Sequence, residues 1–147
     1  MRVLVTAGST MVPLDSVRAI TNIFKGRTGE TIARYFKSVG YDVTLITSGD
    51  EPSVNSPLSL GCVRKFRTFD ELMAIMKREI VSGDYDVVIH SAAVGDYKSY
   101  RMFSSDDDSL SKLVAVDGSG KISSSHKHLI LDMTPTVKII DFIRPRW

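Results

Sequence analysis

The chain has 147 residues, 43% of them hydrophobic and 24% charged, a composition that supports one folded domain with a sizeable core. A net charge of +2, carried on dispersed basic residues, excludes a nucleic-acid stripe or basic tail, and no apolar stretch approaches the roughly 20 residues that cross a bilayer. The single cysteine, Cys62, excludes an internal disulfide; with an N-terminus that enters a strand at once, without a signal peptide's apolar run, it points to a reducing cytoplasm.

Arg2 to Thr6 reads as a short buried strand. A long connection follows to about Gly26, in which Pro13-Leu14-Asp15 is predicted to turn into a short helical piece. Glu30 to Val39 reads as a helix with Ile32, Phe36 and Val39 on one face and Gly40 as its stop. Asp42 to Thr47 is the second strand, Gly49 to Ser59 a loop rich in turn formers, and Cys62 to Phe66 the third strand. Thr68-Phe69-Asp70-Glu71 has the pattern of a capping box, in which hydroxyl and carboxylate each satisfy a backbone N–H. The helix it opens runs to about Val81, with Phe69, Leu72, Met73, Met76 and Ile80 on one face, and Gly83-Asp84 ends it. Asp86 to Ala92 is the fourth strand, apolar enough to be covered on both faces. Residues 98–131 read as a long mobile insertion, a lid, with an extended piece at Lys127 to Asp132. Thr134-Pro135 then supplies an N-cap and first-turn proline for a last helix, Val137 to Ile143.

Strands alternating with helices predict a single Rossmann-like α/β domain over residues 1–147, three layers α/β/α around a mostly parallel sheet. Ligands of such folds bind beyond the C-terminal strand ends, where Gly8, Asn22 and Ala93-Val94-Gly95-Asp96 would gather. A strand, a glycine-bearing loop and a helix start at Gly26 and Gly29 make a place to hold phosphate, because the first helical N–H groups are unpaired and the dipole favours an anion. The chain has no Gly-x-Gly-x-x-Gly after the first strand and no Gly-x-x-x-x-Gly-Lys-Ser/Thr, which argues against ordinary dinucleotide binding and a standard P-loop.

Several ordered motifs carry a resemblance. Val5-Thr6-Ala7-Gly8-Ser9-Thr10 is followed by Asp15-Ser16-Val17-Arg18, then Ile20-Thr21-Asn22, then Gly26 and Gly29. Further on come Ala92-Ala93-Val94-Gly95-Asp96-Tyr97 and Lys121-Ile122-Ser123-Ser124. Together they resemble phosphopantothenate–cysteine ligase, also called phosphopantothenoylcysteine synthetase, over nearly the whole chain, and the Ser-Ser form is similar to the stand-alone bacterial enzymes. The resemblance implies a reaction of coenzyme A biosynthesis. A nucleoside triphosphate, CTP or ATP, activates the carboxylate of 4′-phosphopantothenate as an acyl-nucleotidyl anhydride, and the cysteine amine displaces the nucleotide. It also implies Mg²⁺ and a homodimer. On this reading Lys121 is the cation for charge building at phosphorus, and Asn22 donates to the oxyanion or holds the anhydride. Gly8, Gly26 and Gly29 let backbone approach phosphate, while Ser9, Thr10, Ala93, Val94 and Asp96 line the nucleotide or order its loop.

The chain departs from that family's pattern in places. Phe24-Lys25-Gly26 stands where the family has Ser-Ser-Gly or Ser-Thr-Gly, so a hydroxyl is lost and a cation gained. Ser9 replaces a common glycine, and Thr134-Pro135-Thr136 a common Asn-Pro-Asp. The family continues with strands beyond the equivalent of Trp147, so the sequence reads as its N-terminal two-thirds. An inactive remnant that still binds nucleotide or phosphopantothenate is therefore the second reading, and an NAD(P)-dependent reductase the third. Elsewhere bland readings prevail. Asp106-Asp107-Asp108 is a solvated loop, His90 a hydrogen-bonded core histidine, His126 and His128 an unsupported metal pair, and Cys62 a small core residue. Lys25 and Arg27 stand evenly between phosphate contact and solvation.

Overall fold

The structure, a computed structural model, describes residues 1–49 and 62–146. The loop expected from Gly49 to Ser59 lies outside the described residues apart from Gly49. Strands β1 (Arg2–Ala7), β4 (Asp42–Thr47), β5 (Cys62–Lys65) and β6 (Val87–His90) form one parallel sheet in the order β5-β4-β1-β6. Between them run α1 (Arg27–Ser38) and α2 (Phe69–Ser82). The order places β1 centrally, so its C-terminal end, where the chain turns at Gly8, is the natural ligand edge.

Alternation along β1 sorts its side chains between two cores, because successive strand residues face opposite sides. Val3, Val5 and Ala7 join Val43, Leu45 and Ala33 of α1 on one face. Leu4 joins Ile46, Leu72, Met76 and Ile80 of α2 on the other, along with Ile139 and Ile143 of a short helix α3 (Ile139–Ile143). Leu4, Leu45, Ile46, Leu72 and Met76 are almost wholly inaccessible. Each such side chain contributes about 1.5–3 kcal/mol of burial free energy. These are the three layers expected. The apolar face read on α2 is buried throughout; on α1, Ile32 and Phe36 pack on the core, but the helix ends at Ser38 and Val39, its C-cap, is 48% exposed.

The capping box is formed in both directions: Glu71 N donates to Thr68 Oγ1 at 3.3 Å, and Thr68 N to Glu71 Oε2 at 3.2 Å. Thr68→Ala should cost about 1 kcal/mol in chemical denaturation, the usual worth of an N-cap hydroxyl. An unchanged midpoint would show that the box adds nothing to a helix already held by its apolar face.

Four expectations are corrected. Residues 11–21 hold a hairpin, β2 (Met11–Pro13) paired antiparallel with β3 (Ala19–Thr21), not a helical piece. The Asp15 side chain takes the N–H groups of Val17 and Arg18, and Leu14 N and Asp15 N both donate to the Arg18 carbonyl, which folds the chain back on itself instead of starting a helix. The stretch expected as a loop insertion carries a second, antiparallel sheet in the order β8-β7-β9, with β7 (Tyr97–Ser105), β8 (Val114–Ala115) and β9 (His128–Pro135). Its Ser- and Asp-rich run forms the connection between strands rather than the whole segment. Pro135 ends β9, and α3 starts later, at Ile139, after Lys138 and without a capping side chain. Finally, β6 is half-buried, because among the described residues it pairs only with β1 and so sits at the sheet edge. No described helix is long and apolar enough to cross a membrane.

Candidate functional site

Two loops meet beyond β1 and β6. Ser9 and Ala93 extend the parallel pairing by one bridge. Ala93 N donates to the Gly8 carbonyl at 2.8 Å, and Thr10 N to the Ala93 carbonyl at 3.2 Å. The Ser9 and Thr10 side chains, both buried, secure this junction: Ser9 Oγ lies 3.2 Å from Thr21 Oγ1, and Thr10 Oγ1 accepts Gly95 N at 2.8 Å. Thr136 Oγ1 donates in turn to the Gly95 carbonyl at 2.8 Å, which ties the end of β9 to the same loop. Ser9, Thr10, Ala93 and Gly95 therefore form one hydrogen-bonded wall, while Val94 packs against the α2-side core.

The other wall is the start of α1. Gly8 and Gly26 adopt left-handed backbone, with φ of +85° and +80°. A Cβ on Gly26 would stand 2.4 Å from Gly8 N, and one on Gly29 2.7 Å from the Thr6 carbonyl oxygen. The glycines thus bring the helix start directly against the β1 loop, a packing reason for them that stands beside phosphate approach. No side chain caps α1, so its first N–H groups face a cleft of about 570 Å³ lined by Gly8, Phe24, Lys25, Arg27, Gly29 and Ala93. Lys25 and Arg27 add positive charge where the helix dipole already favours an anion.

Asn22 follows β3 and is exposed. Its Nδ2 donates one N–H to the Ala93 carbonyl at 3.2 Å, which orients the amide and leaves the second N–H for a ligand. It lines a second cleft, of about 710 Å³, shared with Ser9, Phe24, Lys25, Ser48 and Arg67. Ile23 and Phe24, 90% and 66% exposed, line both clefts and give their mouth an apolar lip.

Asp96 and Lys121 sit apart from these clefts. Asp96 is exposed and ion-paired with Lys138, which raises the Lys138 amine above its usual range. Lys121 is exposed and lines neither cleft around Asn22. Its neighbour Ile122 is fastened to the β2–β3 turn through Asp15 and Arg18. From Arg18 to Asn22 the hairpin strand spans about 13 Å at the usual rise per residue. The structure thus brings Gly8, Ser9, Thr10, Asn22, Gly26, Gly29 and Ala93 together and leaves Lys121 and Asp96 outside.

Sequence reasoning gave no role to Asp15 or Ser48. Ser48 Oγ accepts Ser9 N at 2.8 Å and would be struck by any side chain at position 8. Asp15 belongs to the turn read at Pro13-Leu14-Asp15, but nothing in the sequence around it marks its bond to Ile122. His90 is hydrogen-bonded but only half-buried: Nδ1 lies 2.8 Å from Thr6 Oγ1, which also accepts Ala92 N at 3.1 Å. Burial pushes its pKa below the usual value, so the folded protein holds it neutral while the unfolded chain gains a proton below about pH 6.5. Stability should therefore be full above that pH and fall as acid is added. Thermal unfolding of His90→Gln should lose that part of the pH dependence; an identical slope in both proteins would remove His90 from the linkage.

A parallel sheet whose central strand ends in a glycine turn, with an uncapped helix start against it, defines a Rossmann-like ligand-binding α/β domain. Residues 1–110 match the family described as the DNA/pantothenate metabolism flavoprotein C-terminal domain, and the chain belongs to that family. The coenzyme A biosynthesis bifunctional protein CoaBC of Thermococcus kodakarensis is 34% identical over 145 residues, which are 97% of this chain and 30% of that protein. The CoaBC protein of Vibrio cholerae is 36% identical over 98 residues, 66% of this chain and 23% of that one. The chain thus spans less than a third of the curated relatives' length. A solved DNA/pantothenate metabolism flavoprotein of Streptococcus pneumoniae superposes with a TM-score of 0.74 at 33% identity, covering 99% of this chain and 64% of that one. A Cab2 mutant in complex with phosphopantothenate-cysteine shares the fold, with a TM-score of 0.64 at 21% identity.

Proposed function

We propose that the chain is the ligase part of a phosphopantothenate–cysteine ligase, acting in coenzyme A biosynthesis in the cytoplasm. The observation that carries this reading is the pairing of family membership with two clefts that share Ile23, Phe24 and Lys25, one at Gly8 and Gly26 and one at Asn22. A solved structure of the same fold is bound to phosphopantothenate-cysteine, the compound this reaction would form.

The reaction has two steps. A carboxylate oxygen of 4′-phosphopantothenate attacks the α-phosphorus of CTP or ATP, the acyl–phosphate bond forms, and pyrophosphate leaves with the broken bond's electrons. The cysteine amine then attacks the acyl carbon, loses its proton, and expels the nucleoside monophosphate. The first N–H groups of α1, with Lys25 and Arg27, suit a phosphate; the free Asn22 N–H suits the anhydride carbonyl as it becomes an oxyanion. Lys121 would serve the first step, Asp96 the nucleotide. A Mg²⁺ ion would supply charge neutralisation on the triphosphate. Among the described residues no three His, Cys, Asp or Glu converge to hold one, and Mg²⁺ needs only one or two carboxylates where phosphates provide the other ligands. A homodimer belongs to the same reading.

The test couples turnover to binding. With CTP or ATP, Mg²⁺ and 4′-phosphopantothenate, pyrophosphate should be released. Calorimetric binding of either ligand without release would favour the nucleotide-binding remnant. Binding of NAD(P) with neither would sink the ligase reading.

A further inference from the structure

Asp15 is the buried charge of this region that the ligase reading leaves without a task. Its side chain is 0% exposed, although Ser16, Val17 and Arg18 beside it are all exposed. Oδ1 accepts Val17 N at 2.9 Å and Arg18 N at 2.7 Å. Oδ2 accepts Arg18 Nε at 2.8 Å, Arg18 Nη2 at 2.6 Å and Ile122 N at 3.0 Å. Arg18 Nη2 also donates to the Ile122 carbonyl at 2.7 Å. Both backbone polar groups of Ile122 therefore end on one ion pair 107 residues away in sequence. Ile122 is 4% exposed, and Gly118 packs so closely on the same turn that a Cβ there would lie 2.5 Å from the Leu14 carbonyl oxygen. Five N–H donors fill both carboxylate oxygens and leave no lone pair for a ligand. The Arg18 guanidinium, foremost, holds the Asp15 carboxyl far below the usual carboxylate range, so it stays charged.

We propose that Asp15 is a positioning residue: with Arg18 it fixes the backbone at Lys121 to the β2–β3 hairpin, whose other end carries Asn22. The hairpin then acts as a rigid spacer between the residue assigned to phosphorus chemistry and the residue assigned to carbon chemistry. The functional half of this inference rests on the ligase reading.

Asp15→Asn separates the two duties of the carboxylate. One amide oxygen can serve the turn N–H groups or the Arg18–Ile122 side, not both, and the local turn keeps it. The amide NH₂ then faces the Ile122 N–H, donor against donor. In hydrogen exchange of the full chain, the Ile122 amide should exchange about 10- to 150-fold faster, the equivalent of one lost bond to a charged acceptor, while Val17 and Arg18 keep their protection. In the pyrophosphate assay kcat should fall about 10²-fold with KM for 4′-phosphopantothenate little changed, as for a group displaced by about 1 Å. With Gln already at position 121, adding Asp15→Asn should cost less than about threefold, because residues that act through one another are not additive. Arg18→Lys keeps the Asp15 acceptor of Ile122 N but cannot also hold the Ile122 carbonyl; it should lower kcat with the same dependence on Lys121, and it replaces Asp15→Asn in the turnover test if that variant does not fold. Unchanged Ile122 protection, or the same loss in the Lys121→Gln background, would overturn the inference. Absence of turnover in the unmodified protein would instead overturn the ligase reading and Asp15's catalytic part in it, while the exchange result would still decide the anchoring.

Discussion

Asn22→Asp should slow amide formation by at least about 10²–10³-fold, the usual cost of one preorganised oxyanion donor, while sparing pyrophosphate release. The cause is local. Asn22 Nδ2 spends one N–H on the Ala93 carbonyl and offers the other to the cleft. A carboxylate there loses both donors, sets an oxygen against the Ala93 carbonyl and adds negative charge beside an anionic intermediate. The acyl-nucleotide should therefore accumulate in this variant when cysteine is present. Lys121→Gln should do the reverse, lowering pyrophosphate release so that little acyl-nucleotide forms. Equal loss of both half-reactions in both variants would end this division of labour, and unmodified rates would remove both residues from the site.

Gly26→Ala should produce the largest loss of stability among substitutions at the site. At φ +80° an L side chain costs about 1–2 kcal/mol. The new Cβ would also stand 2.4 Å from Gly8 N and 2.8 Å from Gly8 Cα, both backbone atoms that cannot swing aside. Overpacking of this kind costs about 1–3 kcal/mol more. Together these should lower the melting temperature by roughly 10 °C for a domain of this size. A melting temperature within a degree of the parent would mean that α1 does not rest on the Gly8 turn as described.

The strands and helices with strong apolar periodicity were legible in the sequence. Asp42 to Thr47 matches β4, and the Thr68 capping box and apolar face of α2 are in place. Elements set by non-local pairing were not. Met11–Pro13 is too short to show alternation, and β3 is exposed throughout, so their pairing leaves no hydrophobic pattern. The polar runs around Asp107 and Asp117 masked β7 and β8; the extended piece read at Lys127 to Asp132 falls on β9, but its long-range pairing with β7 left no local signal. At the site, Gly8 and Gly26 could be found because left-handed backbone demands glycine there, and Asn22 through the motif run that carries the resemblance. The anchoring by Asp15 could not, because the bonds that make it, from Ile122 N to Asp15 and from Arg18 to the Ile122 carbonyl, join residues more than a hundred apart in sequence. Lys121 was legible only through its motif, and its place outside the Asn22 clefts is a property of tertiary structure alone.

The most direct measurement follows the α-phosphate. The chain, incubated with Mg²⁺, 4′-phosphopantothenate and CTP or ATP labelled at the α-phosphorus, should release pyrophosphate and carry the label into an acyl-nucleotide. Adding cysteine should then discharge all of that label as nucleoside monophosphate, with one phosphopantothenoylcysteine formed for each. Release of inorganic phosphate with a labelled nucleoside diphosphate, or label that stays in the triphosphate throughout, would contradict the ligase assignment.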